Sequence, residues 1–239
     1  MAKAPLGVTV KDAPGLGGSK PLGIWPLEFT QRYGMQDSYI ARVGGIRKTA
    51  LKHLQHYDAQ NTELQAAKLA GRPANVPDVH ARTRRLQEVK QARDDAYARR
   101  NVISEQVASQ TMALKPFEAP KTAHEIAMQA EYRSVLRSAS DDKARAQLLQ
   151  SFAYRQAALA DGAHASLSGI APSTFDRLRH QELLRVHPEA MQVAADHEIA
   201  DDILETHLKA LDAMIETESR ALGVPLVEPK PKPPAPEWE

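Results

Sequence analysis

Apolar residues recur three and four positions apart through most of the chain from residue 36 to residue 222. That period is one face of an α-helix. No stretch alternates apolar and polar residues for long enough to predict a strand. A first helical segment spans about residues 36–69, with Ile40, Val43, Ile46, Ala50, Leu54, Tyr57 and Leu64 near one face. Gly44-Gly45 inside it costs about 1 kcal/mol per residue relative to Ala, which predicts a kink or a split. Gly71-Arg72-Pro73 ends this segment. Asp78 stands where an N-cap belongs, so a second segment runs to about Leu114 before Lys115-Pro116. Thr122 and Glu125 form a capping box that opens a third segment, to about Arg137. A fourth starts at Ser140-Asp141-Asp142, turns Ala144, Leu148, Phe152 and Leu159 inward, and ends at Asp161-Gly162. A small polar loop then leads to Ser173, which is placed to cap a fifth segment carrying Phe175, Leu178 and Leu183. Pro188 suits the first turn of a sixth, which continues to Leu222 before Gly223. The second and sixth segments each hold about 35 residues, or about 50 Å at 1.5 Å per residue.

The two ends break this pattern. Residues 1–34 interleave Pro5, Pro14, Pro21 and Pro26 with Gly7, Gly15, Gly17, Gly18 and Gly23, which predicts an extended arm without helix or central strand. Ile24, Trp25, Leu27, Phe29 and Tyr33 nonetheless make an apolar cluster that must dock, on the chain's own helices or on a partner. Residues 225–239 hold six prolines and read as a polyproline-type tail with Trp238 as its one aromatic anchor. The expected architecture is all-α: an elongated arrangement of four to six helices, two of them long, with extended Pro/Gly-rich N- and C-terminal arms. Its parts are an arm over 1–34, a helical body over 35–224 and a tail over 225–239.

Composition agrees with helices. Aromatic residues are 5% of the 239, too few for the aromatic and β-branched usage of a sheet protein. Cysteine is absent, which excludes disulfides, thiolate metal sites and cysteine nucleophiles. No apolar run is long enough for a membrane span. The first residues lack the apolar core of a secretion signal, so an intracellular or in-particle location is expected, a virion or the host cytoplasm.

Net charge changes the picture once it is divided. Residues 1–115 hold 18 Lys or Arg against 10 Asp or Glu, and residues 116–239 hold 13 against 20. In a heptad frame the second segment places Val79, Leu86, Arg93, Arg100, Val107 and Leu114 at a, and Arg82, Val89, Ala96, Ile103 and Gln110 at d. A seam arginine must meet a carboxylate or reach water. The sixth segment has a seam of Leu204, Leu208, Leu211, Ile215 and Leu222 flanked by seven acids, among them Asp201, Glu205, Asp212 and Glu218. The two segments are therefore expected to lie side by side and neutralise each other. The alternative use of Arg82, Arg85, Arg93 and Arg100 is to grip phosphates or an acidic partner.

Motifs of chemistry are missing or wrongly built. Gly15 to Lys20 resembles a phosphate loop only superficially, since Ser precedes Lys, Pro21 follows and no strand precedes it. The nine histidines form neither a zinc-protease pattern nor Glu-x-x-His pairs, so no metal or cofactor is expected. Ser166 or Ser168, His164 and Asp161 are too close in sequence to form a triad, and no nucleophile elbow is present. The expected function is non-catalytic: a structural or assembly component of a large particle, foremost a bacteriophage virion protein of head, neck or interior. It would be present in multiple copies and tie other protein subunits together, without a membrane. The expected partner-binding residues are Trp25, Phe29, Tyr33, Arg82, Arg93, Arg100 and Trp238. Nucleic acid is admitted but not favoured. Alternatives are an accessory subunit of an organellar ribosome or similar complex touching RNA through residues 78–114, and a transient helical scaffold or assembly chaperone.

Overall fold

The structure is a computed structural model, and it describes residues 24–34, 38–73, 77–160 and 164–224. Among these residues there are nine helices and no strand: α1 (Leu27–Tyr33), α2 (Tyr39–Leu69), α3 (Val79–Ala113), α4 (Ala123–Ser138), α5 (Asp142–Leu148), α6 (Phe152–Leu159), α7 (Ala165–Ser168), α8 (Pro172–Val186) and α9 (Pro188–Leu222). The all-α expectation and the two long helices hold. The count of four to six does not, because several short helices lie where the sequence reads as arm, loop or one continuous segment.

The chain divides into two compact units. Unit 1 comprises Met1–Ile103 and Glu198–Glu239, and unit 2 comprises Ser104–His197. In unit 1 the buried stripe of α2 is Ile40, Val43, Ile46 and Ala50, that of α3 is Leu86, Val89, Ala96 and Ile103, and that of α9 is Leu204, Leu208, Leu211 and Ile215. The four α9 side chains are at most 1% exposed. Ser38 caps α2 through its hydroxyl, which accepts from the Ala41 amide at 3.2 Å. Asp78 caps α3 as expected, accepting from Ala81 at 2.7 Å.

Two expectations fail in unit 1. The arm is not extended as far as residue 34, because Leu27–Tyr33 is helical. Pro26 precedes that helix, where its missing N–H costs nothing, and burial of Phe29 and Tyr33 holds it. Residues 1–23 of the arm, like the tail with Trp238, lie outside the described residues. Gly44-Gly45 neither splits nor interrupts α2. Gly44 is buried beneath the Trp25 ring, and a Cβ there would lie 3.1 Å from a ring carbon. The pair therefore serves close approach, and burial on both sides of it outweighs its poor helix propensity.

Unit 2 is built from short helices around Phe117, Leu136, Leu149, Ala158, Leu159 and Ile170. Its α4 begins with the expected capping box between Thr122 and Glu125. The fourth predicted segment is two helices instead. The chain turns at Leu149–Ser151, Leu149 enters the core at 6% exposure, and Arg155 Nη1 donates to the carbonyls of Leu149 and Gln150. The predicted loop before residue 172 contains the one-turn α7, stopped by Gly169 at φ 63°. A Cβ at Gly169 would meet the Arg137 backbone at 3.4 Å. Ser173 does not cap α8. Pro172 occupies its first turn and Ala171 precedes it, so the fixed proline φ opens the helix without a side-chain cap.

Candidate interaction surface

Arg82, Arg93 and Arg100 all point to α9. Arg82 makes a forked contact with Glu218, through Nε at 2.9 Å and Nη2 at 3.0 Å. Arg93 Nη1 donates to Asp212 at 3.1 Å, and Tyr97 donates to the other oxygen of the same carboxylate at 2.7 Å. Arg100 forks onto Asp201 at 2.7 and 2.6 Å and reaches Glu205 at 2.8 Å. The partners ascend along α3 while they descend along α9, so the helices are antiparallel. The expected neutralisation is thus observed as a three-rung ladder. Hydrogen bonds that Arg100 donates to Asp201 and then Glu205 raise its pKa further above the ordinary value. Lys209 and Arg100 together hold Glu205 below the usual carboxylate range. Burial and the Asp212 bond push the Tyr97 phenol up. These three arginines are internal struts, which leaves them unsuited to gripping phosphates.

The aromatic anchors also turn inward. Trp25 is half-buried over Gly44, meets Phe29 edge-on at 5.5 Å between centroids, and carries the Arg47 guanidinium at 5.5 Å from its ring. Phe29 and Tyr33 are 5% and 4% exposed. Of the two readings of this cluster, docking on the chain's own helices describes these three residues.

The opposite edge of α3 faces α2 and is open. Antiparallel pairing of the two helices leaves a groove that runs from His56 and Arg85 at one end, past His53 and Arg99, to Arg42 and Val102 at the other. Its floor is apolar: Ile46, Ala50, Ala96 and Ile103, with Leu211 of α9 beneath. The widest recess, about 340 Å³, lies between Arg42, Arg99 and Val102. Val102 is 49% exposed. Residues 39–57 of α2 carry four Lys or Arg and no acid. Among the described residues, two carboxylates line the groove, Asp95 midway and Glu218, already paired with Arg82, at the His56 end. Burial, then the charge of Arg85, lowers the pKa of both His53 and His56, so both are neutral near pH 7. The groove's positive charge therefore comes from its arginines. Sequence reasoning missed this surface. The signal was present in the acid-free run 39–57, but only the fold shows that the acids of α9 are committed to the other edge of α3.

Unit 2 gathers its charged side chains differently. Its Glu182 is 6% exposed and lies between Arg155 at 2.8 Å and Arg185 at 2.7 Å. Among the described residues no three His, Cys, Asp or Glu side chains gather as a metal site, and no helix is long and apolar enough to cross a membrane. No protein-family model, curated protein or solved structure matches the chain.

Proposed function

We propose that the protein is a non-catalytic helical component of a large macromolecular particle, and that it joins protein subunits to one another. The α2–α3 groove carries this reading. It combines an apolar floor with a basic rim, beside a body whose other seam is already neutralised internally. Such a surface matches the make-up of a subunit contact, with a desolvated centre and a charged edge. The particular particle is a bacteriophage virion, with the chain in head, neck or interior. This narrower choice rests on the combination of a helical body and Pro-rich ends, by analogy. Commitment of Arg82, Arg93 and Arg100 to α9 weighs against the RNA-contacting alternative.

Mass spectrometry of density-purified virions, taken with a cryo-EM map of the same particles, tests the reading. The chain is expected at a fixed copy number, with density on the α2–α3 face. Its absence from washed particles would remove the virion assignment. A chain that stays monomeric and resists protease from end to end in isolation would count against any assembly role.

A further inference from the structure

We propose that the His56 end of the α2–α3 groove is a binding site for one carboxylate, held between the Arg85 guanidinium and the imidazoles of His53 and His56. The site stands apart from the subunit-joining reading above and lies within unit 1. Helical spacing builds it. His53, His56 and Gln60 share one face of α2, three and four residues apart, and Arg82, Arg85 and Val89 share a stripe of α3 at the same spacing. These two stripes, with Met214 and Glu218 of α9, line a cavity of about 30 Å³. Arg82 shows how this wall treats a carboxylate: it forks onto Glu218 through Nε at 2.9 Å and Nη2 at 3.0 Å. Arg85, one turn along the same stripe, is half-buried, and no carboxylate among the described residues lies within ion-pair distance of it. The nearby acids are committed, Glu218 to Arg82 and Glu88 to Arg84. Across the cavity α2 offers imidazoles instead, since residues 39–57 hold no acid. His56 Nε2 is buried without a hydrogen-bond partner, a second unmet polar group beside the cavity. A half-buried guanidinium without a counter-charge bears a desolvation cost that a bound carboxylate offsets.

Size selects the ligand within the anions. A water-sized atom needs roughly 10–15 Å³ of such space, so the cavity admits about two, the number of oxygens on a carboxylate. A phosphate has four. The planar guanidinium presents paired N–H groups that match two carboxylate oxygens. The core residues Leu86, Val89 and Met214 close the inner side, so the pair forms beside the core, where attraction is stronger than in water. Protons are linked to the same site. The charged and titratable groups facing the two imidazoles are Lys52 on α2, Arg82, Arg85, Glu88, Asp95 and Arg99 on α3, and Glu218 on α9. Asp95 stands ten residues from Arg85 along α3, about 15 Å at 1.5 Å per residue. Burial, then the Arg85 charge, holds both imidazoles below their ordinary pKa. A carboxylate bound among them offsets that charge and favours imidazolium, so by linkage its affinity rises as pH falls.

The test follows the histidine ring signals of the full chain by NMR, assigned with H53Q and H56Q. Sodium acetate is titrated against sodium chloride at equal ionic strength, at about pH 7.5 and about pH 5.5. Acetate is expected to move the His53 and His56 signals saturably and to leave the exposed His124 of unit 2 unmoved. Chloride should give no saturation, and phosphate should bind more weakly than acetate. Acetate should bind at least about threefold more tightly at the lower pH. R85Q should weaken it about tenfold or more, and R85K by less, because the ammonium keeps the charge without the fork. K48Q, exposed on α2 outside the cavity, removes the same charge and should change nothing. Circular dichroism melts of every variant separate lost binding from lost fold, and R85K carries the comparison if R85Q melts early. Blocked tripeptides Gly-Glu-Gly and Gly-Gln-Gly distinguish the source of the carboxylate. Displacement of acetate by the Glu peptide alone extends the site to acidic side chains of proteins, and displacement by neither confines it to small free acids; both keep the proposal. It is overturned by chloride matching acetate, by R85Q binding as tightly as the parent, by phosphate binding more tightly than acetate, or by equal affinity at the two pH values.

Discussion

Arginine does different work in the two units. In unit 1 the seam arginines run along the sides of long helices and meet carboxylates: Arg82 with Glu218, Arg93 with Asp212, Arg100 with Asp201 and Glu205. In unit 2 they reach helix ends and meet carbonyls. Arg145 Nε donates to Leu136 O at 3.1 Å near the end of α4, and Arg155 donates to the carbonyls that follow α5. Arg133 donates to Ala157 O in the last turn of α6, and Arg179 to Leu114 O just beyond α3. Helix length explains the difference. Every helix leaves four C-terminal carbonyls without intrahelical donors, whatever its length. Seven- and eight-residue helices such as α5 and α6 therefore expose far more orphan carbonyls per residue than 35-residue helices do. A long side is instead a seam, where charge must be balanced against charge.

The sharpest way to break this contrast is at Arg155, which does both kinds of work. It serves two carbonyls and also the buried Glu182. Arg155→Ala strands a carboxylate that is 6% exposed, with only the half-exposed Arg185 left beside it. The expected loss is about 3 kcal/mol, near the lower end for breaking a buried pair. Arg155→Lys should recover less than half, since an ammonium cannot span carbonyl and carboxylate with a planar fork. Urea unfolding measures both. Full rescue by Lys would mean that charge alone matters at this position.

On the side of a long helix the comparison is between neighbours. Arg100→Ala leaves Asp201 and Glu205 facing a seam and is expected to cost about 2 kcal/mol, less than a fully buried pair because water still reaches the site. Arg99→Ala, one residue earlier but on the groove edge, is expected to stay within about 0.5 kcal/mol. Equal losses in the two urea midpoints would show that the α9 ladder has no special weight.

Much of this body was legible in sequence. Asp78, the Thr122/Glu125 box, Pro188 and Gly223 mark real helix ends, because each acts through its nearest neighbours. The pairing of α3 with α9 was legible too, since basic seam positions on one long segment required acids on another. What resisted reading depends on contacts distant in sequence. Gly44-Gly45 reads as a breaker until Trp25, about twenty residues earlier, is seen lying on it. Residues 149–151 read as helix because the donor that makes their turn acceptable, Arg155, is itself an ordinary helical residue. The groove depends on which edge of α3 the acids choose, and both edges carry arginine.

Acid sharpens the contrast from another direction. Arginine stays charged throughout, so titration between pH 5 and 7 falls on other groups. In unit 1, burial lowers the pKa of His207, which is 1% exposed and bonded to Ile203 O, and the nearby Arg47 charge adds to the effect. Burial lowers His53 and His56 as well. A histidine with a depressed folded pKa takes up its proton first in the unfolded chain. Stability is therefore unaffected well above the ordinary value of 6.5 and falls as pH drops through it. Thermal midpoints are expected to decline from pH 7 to pH 5, and His207→Leu should flatten part of that decline. An unchanged slope in the variant would place the acid sensitivity elsewhere.

The smallest effect tests whether the glycine pair is there for Trp25 alone. Gly45 is exposed, and a Cβ built on it meets nothing within 4 Å. Gly45→Ala should therefore gain what helix propensity predicts, about 0.5–1 kcal/mol. Gly44→Ala would gain the same propensity but must push the Trp25 ring by a few tenths of an ångström from its contact at 3.1 Å. That ring is also held by Phe29 and Arg47, so its movement disturbs the seat of α1. The net change at Gly44 is expected to be near zero or destabilising, and tryptophan fluorescence should shift in that variant and not in Gly45→Ala. Equal stabilisation by both substitutions, with unchanged fluorescence, would show that α2 tolerates a side chain under Trp25 and that the pair is not required for close approach.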